Sequence, residues 1–117
     1  MKISEIQELL KARLYAGEDL LDVEVCSACG CDLMSDALAF PKEKMVLLTG
    51  LTNPHAIRTA EMLDVSCIVF VRGKQPTSEM IQMARDRDIA ILATKYTLYV
   101  ACGHLYQHGL PGDSQGM

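Results

Sequence analysis

Three uninterrupted apolar runs decide what this chain can fold into: Met45-Val46-Leu47-Leu48, Cys67-Ile68-Val69-Phe70-Val71 and Ile89-Ala90-Ile91-Leu92. Each is short enough for a strand and carries no polar residue, so both of its faces must be buried. A sheet with one wet face would alternate apolar and polar residues instead. Between the runs lie helix signals. Asn53 suits an N-cap and Pro54 the first helical position, which predicts a helix over 54–63. Thr77 or Ser78 caps a helix reaching 87, with Met80, Ile81 and Ala84 on its apolar face. A last helix is predicted over 97–106, stopping near Gly109. Strands buried on both sides and joined by helices predict a three-layer α/β/α sandwich with a mostly parallel, mixed sheet.

The beginning of the chain is less regular. Ser4 and Gln7 form a capping box ahead of Ile6, Leu9 and Leu10, predicting a helix up to Lys11. A short apolar piece, 13–16, precedes the turn residues Gly17, Glu18 and Asp19. Val23 and Val25 alternate with Asp22 and Glu24 as in a strand. After the small-residue run 26–31, residues 32–39 read as a helix ended by Pro41. A chain of 117 residues suits one core, so 1–110 is expected to be a single domain and 111–117 a fraying polar tail.

Charge narrows the function. With 15 acidic and 11 basic residues the net charge is -4, and no basic stripe suggests nucleic acid or an anionic membrane surface. Aromatics make up only 5% and tryptophan is absent, which disfavours a platform for stacked bases. No apolar run approaches the ~18 residues of a membrane span. Glu5 and Glu8 stand where a signal peptide would be apolar. The expectation is a cytoplasmic protein that binds neither nucleic acid nor membrane. Its five cysteines, an odd number, do not suggest a disulfide framework.

In open α/β sheets, ligands sit beyond the carboxyl ends of the strands. Those ends hold Thr49-Gly50-Leu51-Thr52-Asn53, Arg72-Gly73-Lys74 and Thr94-Lys95, so three of the 11 basic residues gather at one edge. Gly50 and Gly73 would let backbone amides approach a ligand, and the helix starts that follow favour anions. The set points to a small anion such as a nucleotide or phosphometabolite. Taken singly, each residue also reads as ordinary turn chemistry or as a solvated charge. No phosphate-loop, dinucleotide-binding or nucleophile-elbow motif is present, and no nucleophile is paired with a base by spacing.

Two further constellations have bland alternatives. Asp32 and Asp36, with Ser35 between them, would share a helix face and could meet a cation or a ligand hydroxyl. The plainer reading has Asp32 as a first-turn acid and Asp36 as a solvated one. Cys26-Ser27-Ala28-Cys29-Gly30-Cys31 brings three thiols close enough for zinc or an iron–sulfur cluster, with Cys102 or His104 as a fourth ligand. The same small residues also suit a tight strand-to-helix turn. His104 and His108, four apart, form a metal-like pair or simply face a helix C-terminus.

These residues also carry a resemblance. Asp32-Leu33-Met34-Ser35-Asp36-Ala37-Leu38-Ala39, Leu47-Leu48-Thr49-Gly50, Arg72-Gly73-Lys74-Gln75-Pro76 and Ala93-Thr94-Lys95-Tyr96-Thr97 resemble the DRTGG domain. That small α/β module is similar to the N-terminal domain of HPr kinase/phosphorylase. The resemblance covers about 1–110 and is greatest to free-standing, single-domain members associated with iron-only hydrogenase components. The domain's own pentapeptide is absent, and Arg72-Gly73-Lys74 stands where a Gly-Gly turn is expected. The resemblance implies a mixed three-layer fold and a regulatory or dimer-forming module without its own catalysis.

The leading expectation is therefore a non-catalytic module that senses a small anionic ligand and acts through a homodimer or a partner enzyme. Thr49, Gly50, Arg72, Gly73, Lys74, Thr94 and Lys95 would line its site, with Asp32, Ser35 and Asp36 at the rim. It needs no cofactor. The alternatives are a metal-binding accessory protein using Cys26, Cys29 and Cys31, and a purely structural interaction domain.

Overall fold

The computed structural model describes residues 1–39 and 44–112. The apolar runs become strands β3 (Met45–Thr49), β4 (Cys67–Phe70) and β5 (Ala90–Ala93). The helices between and after them are α3 (Pro54–Met62), α4 (Ser78–Asp86) and α5 (Leu98–Gln107). Two of their starts follow the predicted chemistry: Asn53 accepts from the His55 amide at 2.9 Å and Thr77 from Met80 at 3.2 Å. Thr97, expected as the first helical residue, is instead a cap and accepts from Val100 at 3.3 Å. Each cap satisfies an amide that has no partner within the helix.

Before β3 come α1 (Ile3–Leu9), β1 (Arg13–Ala16), β2 (Ser27–Gly30) and the short α2 (Met34–Ala39), with a single 3-10 turn (Glu18–Leu20) between β1 and β2. The sheet order is β1-β5-β4-β3-β2. Strands β2 to β5 are parallel, and β1 alone runs antiparallel, against β5. Strand parity sorts the core into two clusters. Leu47, Ile68 and Ile91 face α2, α3 and α4, while Val46, Leu48, Val69 and Leu92 face α1 and α5. The result is the mixed three-layer α/β/α sandwich that apolar runs demand. Burying each such Leu or Ile stabilises the fold by about 1.5–3 kcal/mol.

The departures all fall early in the chain. The first helix begins before Ser4, and its capping box is formed by Lys2 and Glu5, whose carboxylate accepts from the Lys2 amide at 2.9 Å. The segment expected as a strand over 22–25 is used to dock this helix. The carbonyls of Val23 and Leu21 accept from the amides of Ile3 (3.1 Å) and Ser4 (2.9 Å), and Lys2 bridges to Glu24. The sheet strand comes later, within the Cys-rich run, which is therefore a strand and not a turn. The second helix starts at Met34, so Asp32 lies before it. Pro41, expected to end that helix, and positions 113–117 of the expected tail lie outside the described residues. Among those described, no helix is long and apolar enough to cross a membrane.

Candidate functional site

The carboxyl edge of the sheet divides into two unlike halves. At the ends of β3 and β4 the chain fills its own site. Asp32 Oδ1 accepts from the Gly50 amide at 2.7 Å and from the Thr49 hydroxyl at 3.4 Å. Its other oxygen lies 3.7 Å from Arg72 Nη2. A Cβ at position 50 would meet Arg72 Nη2 and come within 3.2 Å of Asp32 Oδ1, so glycine leaves room for both side chains over this turn. Thr49, fully buried, also accepts from the Leu51 amide at 3.0 Å. A carboxylate of the protein thus accepts from the Gly50 amide and gives Arg72 a counter-charge.

Arg72 and Gly73 both adopt left-handed backbone, with φ of 59° and 71°. That reversal aims their amides at the next strand end: Arg72 donates to Tyr96 O at 2.8 Å and Gly73 to Thr94 O at 2.9 Å. The amides of Gly50 and Gly73, expected to reach a ligand, therefore donate within the chain. What the turn offers outward is side chains.

Those side chains converge in the other half. A cavity of about 510 Å³ lies between the ends of β4 and β5 and the start of β1, with Lys11, Arg13, Lys74, Lys95, Tyr15 and Tyr96 among its lining residues. Its lining carries four cations and no carboxylate. Among the described residues, none of the four forms an ion pair; the pairs present involve other groups. Arg13 lies over the ring of Tyr15 at 5.0 Å. Tyr96 is stacked on His104, ring centroids 5.0 Å apart. Thr94 holds the floor: its buried hydroxyl donates to Leu10 O at 2.7 Å and accepts from the Tyr96 amide at 3.2 Å. Clustered unneutralised cations in a concave surface focus the field on an incoming anion.

Of the residues expected at the site, Lys74, Lys95, Gly73 and Thr94 line this cavity, whereas Thr49, Gly50, Arg72 and Asp32 form the self-paired half. Ser35 and Asp36 lie exposed on α2. Asp32 and Asp36 do not share a helix face, since the chain is not yet helical at Asp32. Lys11 and Arg13 were not expected. Because β1 is antiparallel, Arg13 pairs with Ala93 and its start lies beside the end of β5. The charged-apolar alternation of Arg13-Leu14-Tyr15-Ala16 was the available signal for an edge strand, but nothing local states its direction.

The cysteines are divided by the pleat. Cys29 and Cys31 share a face and their sulfurs are 3.8 Å apart, while Cys26 is exposed before β2. Among the described residues no three His, Cys, Asp or Glu side chains are grouped to hold a metal ion. Burial, then the neighbouring Cys29, pushes the Cys31 thiol up to about 11. Burial and then Cys29 also raise Cys102, and burial alone takes Cys67 to about 12. The His108 ring Nδ1 lies 2.8 Å from the His104 carbonyl, one turn back on α5.

No protein family matches the chain by sequence profile, and no curated protein matches it. Its fold is similar to that of a solved structure, the CBS and DRTGG domains of the regulatory region of Clostridium perfringens pyrophosphatase, complexed with its activator diadenosine tetraphosphate. The match has a TM-score of 0.75 at 19% identity and covers 99% of this chain. The chain spans about half (50%) of the length of that structure. Architecture and comparison together define a mixed three-layer α/β/α fold of the kind seen in that structure.

Proposed function

We propose that this chain is a regulatory domain of the DRTGG kind that senses a small, nucleotide-like anion and carries out no reaction of its own. The observation that carries this reading is the convergence of Lys11, Arg13, Lys74 and Lys95 on one cavity at the carboxyl edge of a chain with net charge -4. The fold it shares with the activator-bound regulatory region of a pyrophosphatase supports it. Gly73, Lys74, Thr94 and Lys95 line the site; Thr49, Gly50, Arg72 and Asp32 form the self-paired half of the same edge, and Ser35 and Asp36 stay exposed on α2. The domain works in the cytoplasm through a homodimer or a partner enzyme, hydrogenase components among the candidates. Tyr99, Val100 and Tyr106, exposed on α5 beside edge strand β2, are apolar surface that such a contact would cover.

Thermal unfolding with and without AMP, ATP and diadenosine tetraphosphate tests this reading. A ligand at 100 times its dissociation constant adds about 2.7 kcal/mol to stability. The gain should vanish in Lys74→Ala/Lys95→Ala, while the unliganded variant keeps its stability within about 0.5 kcal/mol. An unfolding midpoint that no nucleotide moves would leave a purely structural interaction domain.

A further inference from the structure

We infer that the cavity is built for a chain of three or more phosphates, and that Lys11 and Arg13 set this preference; the inference rests on the anion-sensing reading above. The argument is one of charge and placement. Four cations reach the cavity from three separate places: the end of α1 with the start of β1, the turn after β4, and the turn after β5. They come from different elements and not from one run of sequence. A monophosphate carries at most two charges and pairs well with one or two such groups, leaving the rest to repel each other in a concave site. A triphosphate supplies about four negative charges at successive positions, so each cation gains a partner.

The chemistry of the cations agrees. Lys11, Lys74 and Lys95 are point charges on flexible stems, which follow a phosphate chain without imposing one geometry. Arg13 is different, because its guanidinium lies 5.0 Å over the Tyr15 ring and is held as a planar fork. It can grip two oxygens of one phosphate while the lysines follow the others. The volume, about 510 Å³, suits a ligand of nucleotide size and greatly exceeds what a lone phosphate fills. The self-paired half of the edge offers no competing place, since Asp32 already holds Arg72 and the Gly50 amide.

Titration calorimetry with AMP, ADP, ATP and inorganic tripolyphosphate separates the alternatives on the unmodified chain. ATP should bind about tenfold or more tightly than AMP, with ADP between them and a steeper salt dependence for ATP. Lys11→Gln/Arg13→Gln should weaken ATP about tenfold and AMP far less, with the unfolding midpoint reporting that the variant is folded. Tripolyphosphate binding on a par with ATP assigns recognition to the phosphate chain alone; ATP binding more tightly adds a contribution from the nucleoside, and both outcomes support the inference. AMP binding as tightly as ATP overturns it while leaving a nucleotide-sensing domain. Tripolyphosphate binding without any nucleotide binding overturns the nucleotide reading and leaves the phosphate-chain site. Heats indistinguishable from dilution for all four probes overturn both.

Discussion

The two halves of the carboxyl edge begin from the same design and end in opposite electrostatic states. Thr49 closes β3 and Thr94 follows β5; each hydroxyl accepts from the amide two residues on, from Leu51 at 3.0 Å and from Tyr96 at 3.2 Å. Each also donates, and here they part. Thr49 donates to a carboxylate, Asp32, which neutralises Arg72. Thr94 donates to a backbone carbonyl, Leu10, which brings the end of α1 and its Lys11 to the cavity without adding negative charge. A basic residue at a strand end that the fold leaves without an internal counter-ion is open to an anion from outside. Lys74 and Lys95 are in that state, whereas Arg72 faces Asp32.

The comparison breaks most completely if β1 is displaced. Gly17, at φ 92°, ends β1, and a Cβ there would lie 2.6 Å from Ala90 Cα in β5. The obstacle is backbone, so nothing flexible can yield. Gly17→Ala should destabilise by about 3 kcal/mol or more, from left-handed strain and overpacking together. Chemical denaturation measures the loss, and anion binding should fall with it because Arg13 leaves the cavity.

The matched threonines give a finer test. Thr94→Val leaves the Leu10 carbonyl and the Tyr96 amide without their partner and should cost about 2 kcal/mol. Thr49→Val likewise leaves the Leu51 amide without its acceptor, but the bond it donates is longer, 3.4 Å, and goes to a half-exposed carboxylate, so it should cost less than Thr94→Val. Equal losses measured by urea unfolding would mean that the two halves are not distinguished by their internal bonds.

The smallest effect sharpens the electrostatic contrast. Asp32→Asn keeps an acceptor for the Gly50 amide and removes the charge beside Arg72. The ion pair is about half exposed (50% and 51%), so its loss should change stability by less than about 1 kcal/mol. Anion affinity should rise a few-fold, as calorimetry with ATP would show, because Arg72 joins the free cations. An affinity that falls would place Asp32 on the ligand's side and not in competition with it.

Much of this was legible in the sequence, and unevenly so. The runs at Met45, Cys67 and Ile89, with the Asn53 and Thr77 caps, announced the parallel core because each signal is local: apolarity on both faces, or a side chain bonding an amide two or three residues away. The beginning of the chain was misread where local signals compete with distant partners. Val23 alternates with acids like a strand residue, yet its carbonyl serves the first amides of α1. The Cys-rich run looked like a turn because its residues are small, yet it pairs with β3 from Ser27↔Met45 to Gly30↔Leu48. Small residues fit an edge strand under α5, where a Cβ on Gly30 would come within 2.6 Å of Cys102 Sγ.

The sequence by itself determined that a parallel α/β core would form and that Lys74 and Lys95 would stand at its carboxyl edge, since hydrophobic periodicity and caps act over a few residues. Only the tertiary structure decided which of the edge cations remain free. That outcome depends on Asp32 reaching Gly50 across 18 positions and on Thr94 reaching Leu10 across 84. It depends equally on an antiparallel β1 that delivers Arg13 to the end of β5. Charge neutralisation is set by distance in space, and no local pattern encodes it.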